Sequence, residues 1–543
     1  MTGESAEATT GGDALARMLQ AHGAGPIFVP GGLTGDPFDA ALARLELAYA
    51  PIVDPRAAAF AADAYAEASG RVGLLSLPAG TDLTEAAGGL VAAREAGSPV
   101  IAVLPEPSAF ETSVLAGACK EVIRVEPAAA IPALVRRAFI AATTGRPGPI
   151  ALVVPAPIRA AAESYAEDDL VEHGRFESAS ALRARPDLEA LHEAAERLAA
   201  AERPLVLAGP DVHVSRAAKA LQDLAEAWRI PVAHSPGGKG AVACASALSA
   251  GFVAPGGAAA QALAEADLIL AIGGALDEIA AAAPGLIPRE TPLLELEARA
   301  EAIGRVRAVT VPLWGDPRAG IEALGFLLEQ AGAQIPEARE AWAEHVAAAR
   351  QAEREASAAA RAGEGLTRAR LVATLSEYLP PEGLLVVDPG PEAEAAYAGF
   401  EVKRCGRGLI AARAASAEGS VFAAAIGAAL AAPGRLVVAL AGERGAARAL
   451  GALESARRLG LPVNLVVANA GAARASGETG EGATPPELAE TRFDRAAQGL
   501  GCLGLRAETA ADLASSLEEA LSFRDGPALL DVAVTETGDL DAS

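Results

Sequence analysis

Histidine is scarce in this chain, with six in 543 residues and none after His345, so the last third has no imidazole to offer for acid–base work. Cysteine is rarer still. Cys119, Cys244, Cys405 and Cys502 lie far apart with no CxxC pair, which excludes a disulfide framework and a thiolate zinc site and fits thiols kept reduced in a cytoplasm. Positive charge is in deficit, and the net charge of −25 argues against nucleic acid or an anionic membrane surface as partner, since both are held through basic patches. No run reaches the ~18 apolar residues of a membrane span, and Met1–Gly12 lacks the apolar core of a secretory leader. There is no Walker loop, Gly-x-Ser-x-Gly elbow or HExxH string. The expectation is a soluble cytoplasmic protein.

What the chain does contain is a succession of short apolar runs separated by helical patterns, the alternation that builds parallel sheets covered by helices on both faces. Residues 11–157 read as a first α/β domain, with strands at Ile27–Val29, Ala48–Val53, Gly73–Leu77, Val100–Leu104 and Ile150–Val154 and helices at Ala57–Ala68 and Ile131–Thr144. Residues 158–185 are an acidic linker. Residues 186–331 read as a central α/β domain, 332–365 as a helical connector rich in Ala, Glu and Arg, and 366–535 as a third α/β domain. The expected fold class is therefore α/β with three doubly wound parallel sheets.

The stretch from Leu436 to Gly471 organises the third domain. An apolar run ends in Gly442-Glu443-Arg444-Gly445, a helical segment follows, and a second apolar run ends at Asn469-Ala470-Gly471. This is a β-α-β unit, and ligands in such sheets bind where the strands end. Ala86–Val100 matches Ala449–Val463 at eight of fifteen positions without a gap, at the same helix-to-strand step of two α/β units. The first and third domains thus read as an ancient duplication with the central domain between them. Two strings, Gly238-x-Gly240-x-x-Ala243 and Gly406-x-Gly408-x-x-Ala411, imitate a dinucleotide fingerprint and count as accidents unless a strand leads into a helix-opening turn. Lys239 in the first of them reads as part of a structural turn more readily than as a nucleotide contact.

The strings Phe28-Val29-Pro30-Gly31-Gly32, Ala59 to Arg71, Thr144-Gly145-Arg146-Pro147-Gly148-Pro149, Pro236-Gly237-Gly238-Lys239-Gly240 and Leu461-Pro462-Val463 carry a wider likeness. With them, the chain resembles the acetolactate synthase branch of thiamine diphosphate (ThDP) enzymes over nearly its whole length. The resemblance implies a pyrimidine-type first domain, a diphosphate-type third domain, a homodimer or homotetramer, and ThDP with Mg²⁺ held between the first domain of one subunit and the third of another. FAD in the central domain is a further cofactor that the resemblance allows, though no short string here supports it. It also implies a 2-oxo acid or another small anion as ligand.

The motif residues depart from the family's pattern. The family's diphosphate-and-metal motif runs Gly-Asp-Gly, helix, Asn-Asn; here it reads Gly442-Glu443-Arg444 and Asn469-Ala470. By the resemblance, Glu443 and Asn469 are the remaining metal candidates, Ala470 has lost an amide ligand, and Gly31, Gly80, Gly442, Arg444 and Gly445 are candidate cofactor contacts. Pro55 stands where the family's proton-relay glutamate sits, and proline has no ionisable group to fill that role. Glu111 and Glu418 are candidates for a replacement acid–base pair if they converge; Arg444 either replaces the metal's charge or forms a plain ion pair. Three readings follow: a ThDP-fold protein that no longer runs ThDP chemistry and acts as a binding or assembly partner, an active carboligase or decarboxylase of 2-oxo acids, and an enzyme for another small anion without ThDP. Losing the relay, a metal ligand and a glycine together favours the first.

Overall fold

A computed structural model describes residues 9–23, 25–171, 176–361, 365–411, 417–471 and 491–535. Three six-stranded parallel sheets carry the chain. The first contains β1 (Ile27–Pro30), β2 (Tyr49–Ile52), β3 (Gly73–Ser76), β4 (Val100–Leu104), β5 (Glu121–Arg124) and β6 (Ile150–Val153) in the order 2-1-3-4-6-5. The second contains β7 (Pro204–Ala208), β8 (Val232–His234), β9 (Ser249–Phe252), β10 (Leu268–Ile272), β11 (Leu293–Glu297) and β12 (Val311–Trp314) in the order 9-8-7-10-11-12. The third contains β13 (Leu384–Val387), β14 (Leu409–Ala411), β15 (Val437–Gly442), β16 (Asn464–Asn469), β17 (Leu503–Ala507) and β18 (Ala528–Ala533) in the order 14-13-15-16-18-17.

The first and third orders are the same permutation of six strands, and the central order is different. The matched strings Ala86–Val100 and Ala449–Val463 both lead into the fourth strand of their sheets, β4 and β16. Topology therefore agrees with the duplication read from the sequence. Inner strands such as β4 and β10 are buried along their whole length, which is why they read as unbroken apolar runs.

Two helices join the first and third domains. α1 (Pro55–Ser69) follows β2, and its counterpart (Val421–Ala431) follows β14 in the duplicated layout. They lie face to face with almost no side chain between them: a Cβ on Gly427 would fall 1.9 Å from the carbonyl oxygen of Ala61. Alanine-rich faces make this approach possible, and one hydrophobic cluster runs from Phe28 and Ala59 through Phe422 to Leu529. The Val53 N–H also donates to Ser455 Oγ at 2.9 Å, and the part-buried pair Glu67–Arg407 crosses the same junction. The first and third domains are thereby held together within one chain.

Several expectations shift. The last strand of the central domain is β12 at Val311–Trp314, and β5, β9, β13, β14 and β17 were not singled out. The linker 158–185 is partly ordered: Ala162–Glu163 pairs antiparallel with Thr9–Thr10. The connector is the long helix Glu337–Arg361. No glycine turn separates β15 from its helix, because the strand runs to Gly442 and the helix opens at Glu443. Arg444 is therefore a helical residue.

Candidate functional site

In the third sheet the strand order reverses between β13 and β15, so the crevice beyond their carboxyl ends is the topological switch point. We label the flanking helices α2 (Ala109–Ala118), α3 (Pro391–Gly399), α4 (Val421–Ala431) and α5 (Glu443–Arg458), in chain order after α1. β13 delivers Asp388, whose carboxylate accepts the N–H groups of Gly419 (2.8 Å) and Val421 (3.2 Å) at the amino end of α4. Burial pushes its pKa up to about 7, opposed by those two hydrogen bonds and reinforced by the charges of Glu418 and Glu392. Gly445, in the first turn of α5, must be glycine because a Cβ there would meet Asp388 Oδ2 at 2.0 Å.

Three more carboxylates face the same crevice. Glu392 of α3 is buried, pairs with Arg368 at 2.8 Å, and places its two oxygens 3.0 and 3.1 Å from where a Cβ on Gly442 would lie. Glu443 opens α5 and is buried, a favourable end of the helix for a negative charge. Glu418 precedes α4 and accepts from Arg444 Nε and Nη2, both at 2.9 Å, and from Arg448 Nη1 at 3.0 Å. Arg56 of the first domain donates to the Glu418 carbonyl at 2.7 Å and lies 5.3 Å from the centre of the Phe60 ring. Arg444 thus pairs with Glu418, an ion pair of the kind the sequence allowed.

Asn469 is committed elsewhere. Its Nδ2 donates to Asp531 Oδ1 (3.0 Å) and the Thr491 carbonyl (2.9 Å), while its Oδ1 accepts the Gly471 N–H (3.1 Å). Ala470 beside it is buried and apolar. Among the described residues no group of three His, Cys, Asp or Glu side chains is arranged to hold a metal ion.

The first domain supplies a different surface. Pro55 is the first residue of α1, where its missing N–H costs nothing, and Asp54 before it caps the helix by accepting the Ala57 N–H at 2.7 Å. Neither is placed as a proton relay. Glu111 closes a capping box at the start of α2, accepting the N–H of Ser108 (2.7 Å) and of Leu83 (3.2 Å). The hydrogen bonds from Ser108 hold its carboxyl below the usual carboxylate range, the opposite of what a general acid near neutral pH requires. Glu111 and Gly80 line a cleft of about 1030 Å³ at the carboxyl ends of β3, β4 and β6, and Gly31 (φ 70°) lies outside that lining. Glu111 and Glu418 bind different partners in different domains of the one chain.

Within the chain, the geometry joins Glu418, Arg444 and Gly442–Gly445 with Arg56, Arg448, Asp388 and Glu392. The last four were missed. Arg448 had a signal, being four residues from Arg444 on one helix face. Asp388 had another, following directly on the apolar run Leu384–Val387.

A magnesium diphosphate does not suit this donor set. Its phosphates would approach Gly442 and the start of α5 against the carboxylates of Glu392, Glu443 and Glu418. The metal would depend on Glu443 and on an Asn469 amide already used at both ends.

The central domain has its own switch point, between β7 and β10. There the two loops are tied by Gly209 N–H to the Ile272 carbonyl (2.8 Å) and Asp211 N–H to the Gly273 carbonyl (3.1 Å). Asp211 Oδ2 and Glu297 Oε2 are buried beside them without a hydrogen-bond partner. Lys239 is buried and donates to the Tyr397 carbonyl at 2.7 Å, bracing the central against the third domain. Neither Gly-x-Gly-x-x-Ala string opens a helix: the first leads into turns and the second into β14.

Burial and the nearby Asp211 push the Glu297 pKa up to about 8. The folded chain then holds a proton that the unfolded chain releases above about pH 4.5, so stability falls as pH climbs from there to about 8. In Glu297→Gln, the amide nitrogen replaces an unpartnered oxygen beside Asp211. The variant is expected to gain on the order of 2–4 kcal/mol over the parent at pH 9 and little at pH 5. Urea melts at the two pH values check this, and equal stability at pH 9 would refute it.

Models of thiamine pyrophosphate enzymes match all three domains: the N-terminal TPP binding domain over residues 9–122, the central domain over 191–324 and the C-terminal TPP binding domain over 393–532. The acetolactate synthase large subunit of Parasynechococcus marenigrum is 27% identical over 478 residues, covering 85% of this chain and 76% of that protein. The acetolactate synthase of Mycobacterium bovis is 25% identical over 560 residues, 97% of this chain and 88% of that one. The acetolactate synthase large subunit of Corynebacterium glutamicum is 24% identical over 568 residues, 98% and 87% of the two chains.

Proposed function

The chain belongs to the thiamine diphosphate enzyme family, on the acetolactate synthase-like side, and from that premise we propose that it keeps the family's cofactor crevice as architecture without seating Mg²⁺–ThDP. It would then serve as a non-catalytic binding or assembly protein. The observation that carries this reading is the convergence of Asp388, Glu392, Glu418 and Glu443 on the switch point of the third sheet. Their arginine partners, Arg368, Arg444 and Arg448, are already matched to them.

The first domain supports the same reading. Pro55 and Asp54 serve the start of α1, so the position from which the family's proton relay would act is spent on capping a helix. The family layout further supports a homodimer or homotetramer, in which a second copy would cover the Gly80–Glu111 cleft and the 70% exposed Phe110 beside it.

Titration calorimetry of the full chain with ThDP and MgCl₂ tests the proposal. Expected is no saturable heat with titrant up to about 1 mM, a level that would detect even ~4 kcal/mol of binding. Magnesium-dependent binding near 1 µM, about 8 kcal/mol, would favour the active carboligase or decarboxylase, and pyruvate turnover with added cofactor would establish it.

A further inference from the structure

An uneven group of charges sits where the central domain meets the first. Arg216 closes the turn after the short helix Asp211–Val214 with φ 53°, a left-handed backbone that residues with a side chain rarely adopt. Its guanidinium lies against Gly70, where a Cβ would fall 2.3 Å from Nη2, and Nη2 donates to the Ser69 carbonyl at 2.7 Å. That contact caps the carboxyl end of α1 and uses one nitrogen. Nε and Nη1 have no hydrogen-bond partner among the described residues.

Burial, and then the charges of Arg183, Arg318 and Arg71, hold the Arg216 pKa below the usual guanidinium value. Those three neighbours are matched one to one. Arg183 pairs with Asp316 at 2.8 Å, Arg318 with Glu322 at 2.7 Å and Arg71 with Glu177 at 3.7 Å. Arg216 forms no ion pair with a described residue, so four guanidinium groups meet three carboxylates.

A groove of about 520 Å³ lies beside this group, between the helices Ala218–Trp228 and Pro317–Gln330, and Arg216, Lys219 and Arg318 line it together. Lys219 is paired with Asp223. Glu329, the remaining carboxylate on the groove, stands eleven residues beyond Arg318 on the same helix, about 16 Å along its axis. The Arg318 side chain donates through Nε alone, so both of its terminal nitrogens are open to a ligand. Trp228 and the 57% exposed Phe326 give the groove an apolar side. Guanidinium groups with an unmatched charge and free N–H donors suit a phosphate, which offers several oxygens at once.

We propose that Arg216 and Arg318, with Lys219 beside them, bind the phosphate group of a small organic phosphate whose apolar body lies in the groove. The phosphate supplies the anion that Arg216 lacks and ties the central domain to the carboxyl end of α1. The site lies outside the crevice of the third sheet and does not depend on whether Mg²⁺–ThDP occupies that crevice.

Titration calorimetry of the full chain tests this, with phenyl phosphate in one arm and inorganic phosphate in the other. Potassium chloride at about 0.15 M screens unspecific attraction in both. Phenyl phosphate should bind saturably, and at least threefold more tightly than inorganic phosphate. Arg216→Gly, a residue at ease with the left-handed backbone there, and Arg318→Gln should each weaken that binding at least tenfold. Phe326→Ser should bring phenyl phosphate down to the affinity of inorganic phosphate. Circular dichroism confirms that each variant is folded. If Arg216→Gly fails that check, Arg318→Gln decides, since the one side-chain carboxylate it releases is exposed. No saturable binding of either phosphate would overturn the proposal, as would binding that the arginine substitutions leave unchanged. Equal affinity of wild type for the two phosphates would overturn the assignment of the groove to an organic body.

Discussion

Replacing Arg368 with methionine is expected to destabilise the chain by about 3–5 kcal/mol. Arg368 Nε lies 2.8 Å from Glu392 Oε1, and the Glu392 side chain is 5% exposed, so the substitution leaves a carboxylate buried without its counter-charge. The double variant Arg368→Met with Glu392→Met should recover to within about 1 kcal/mol of the parent, because an apolar pair of similar volume avoids the desolvation cost. Denaturant melts of the three proteins at pH 5 and pH 8 decide the matter. A single variant as stable as the parent would mean that the Arg368–Glu392 pair contributes nothing, and the electrostatic objection to a diphosphate at Gly442 would weaken with it.

The second large effect concerns Asn469. Asp531 is fully buried and accepts from Asn469 Nδ2 (3.0 Å), the Phe493 N–H (3.1 Å) and Arg506 Nη1 (3.0 Å). Asn469→Asp turns one of these donors into a second carboxylate, at an expected cost of about 3–5 kcal/mol near neutral pH. Asn469→Ala, which only removes the bond, should cost about 1–3 kcal/mol. Magnesium separates a scaffolding role from a metal-binding one. If Asn469 were a metal ligand, a carboxylate in its place would be a harder oxygen donor, and Mg²⁺ would rescue the aspartate variant. The expected melts of both variants are the same with and without Mg²⁺.

Much of the architecture could be read from the chain because inner strands of a parallel sheet are buried on both faces and appear as plain apolar runs. The strands that escaped notice were mostly at sheet edges: β5, β9, β14 and β17 each end a strand order. There the second strand neighbour is missing and the sequence is short or mixed, as in Glu-Val-Ile-Arg at β5. β13 is the exception, an inner strand with an unbroken Leu-Leu-Val-Val run that went unmarked.

The site was legible as a set of substitutions and poorly legible as a constellation. Gly442, Glu443 and Arg444 stood out because they interrupt a familiar string, but the partner of Arg444 lies 26 residues away and the contact of Arg56 lies 362 away. Nothing local announces such pairs. Pro55 shows the complementary limit: on the sequence it is a missing acid, and in the structure it is a well-placed first residue of α1. Glu111 is similar, since its capping box with Ser108 is a local feature that explains the residue without catalysis.

The most direct measurement is the cofactor content of the full chain purified from thiamine-replete cells with Mg²⁺ present throughout. Acid release and quantification of ThDP should return only a trace per chain, and soaking crystals with Mg²⁺–ThDP should leave the crevice at Glu392 and Gly442 without diphosphate density. About one ThDP per chain, with magnesium ordered on Glu443 and Asn469, would contradict the claim that the crevice has lost its cofactor.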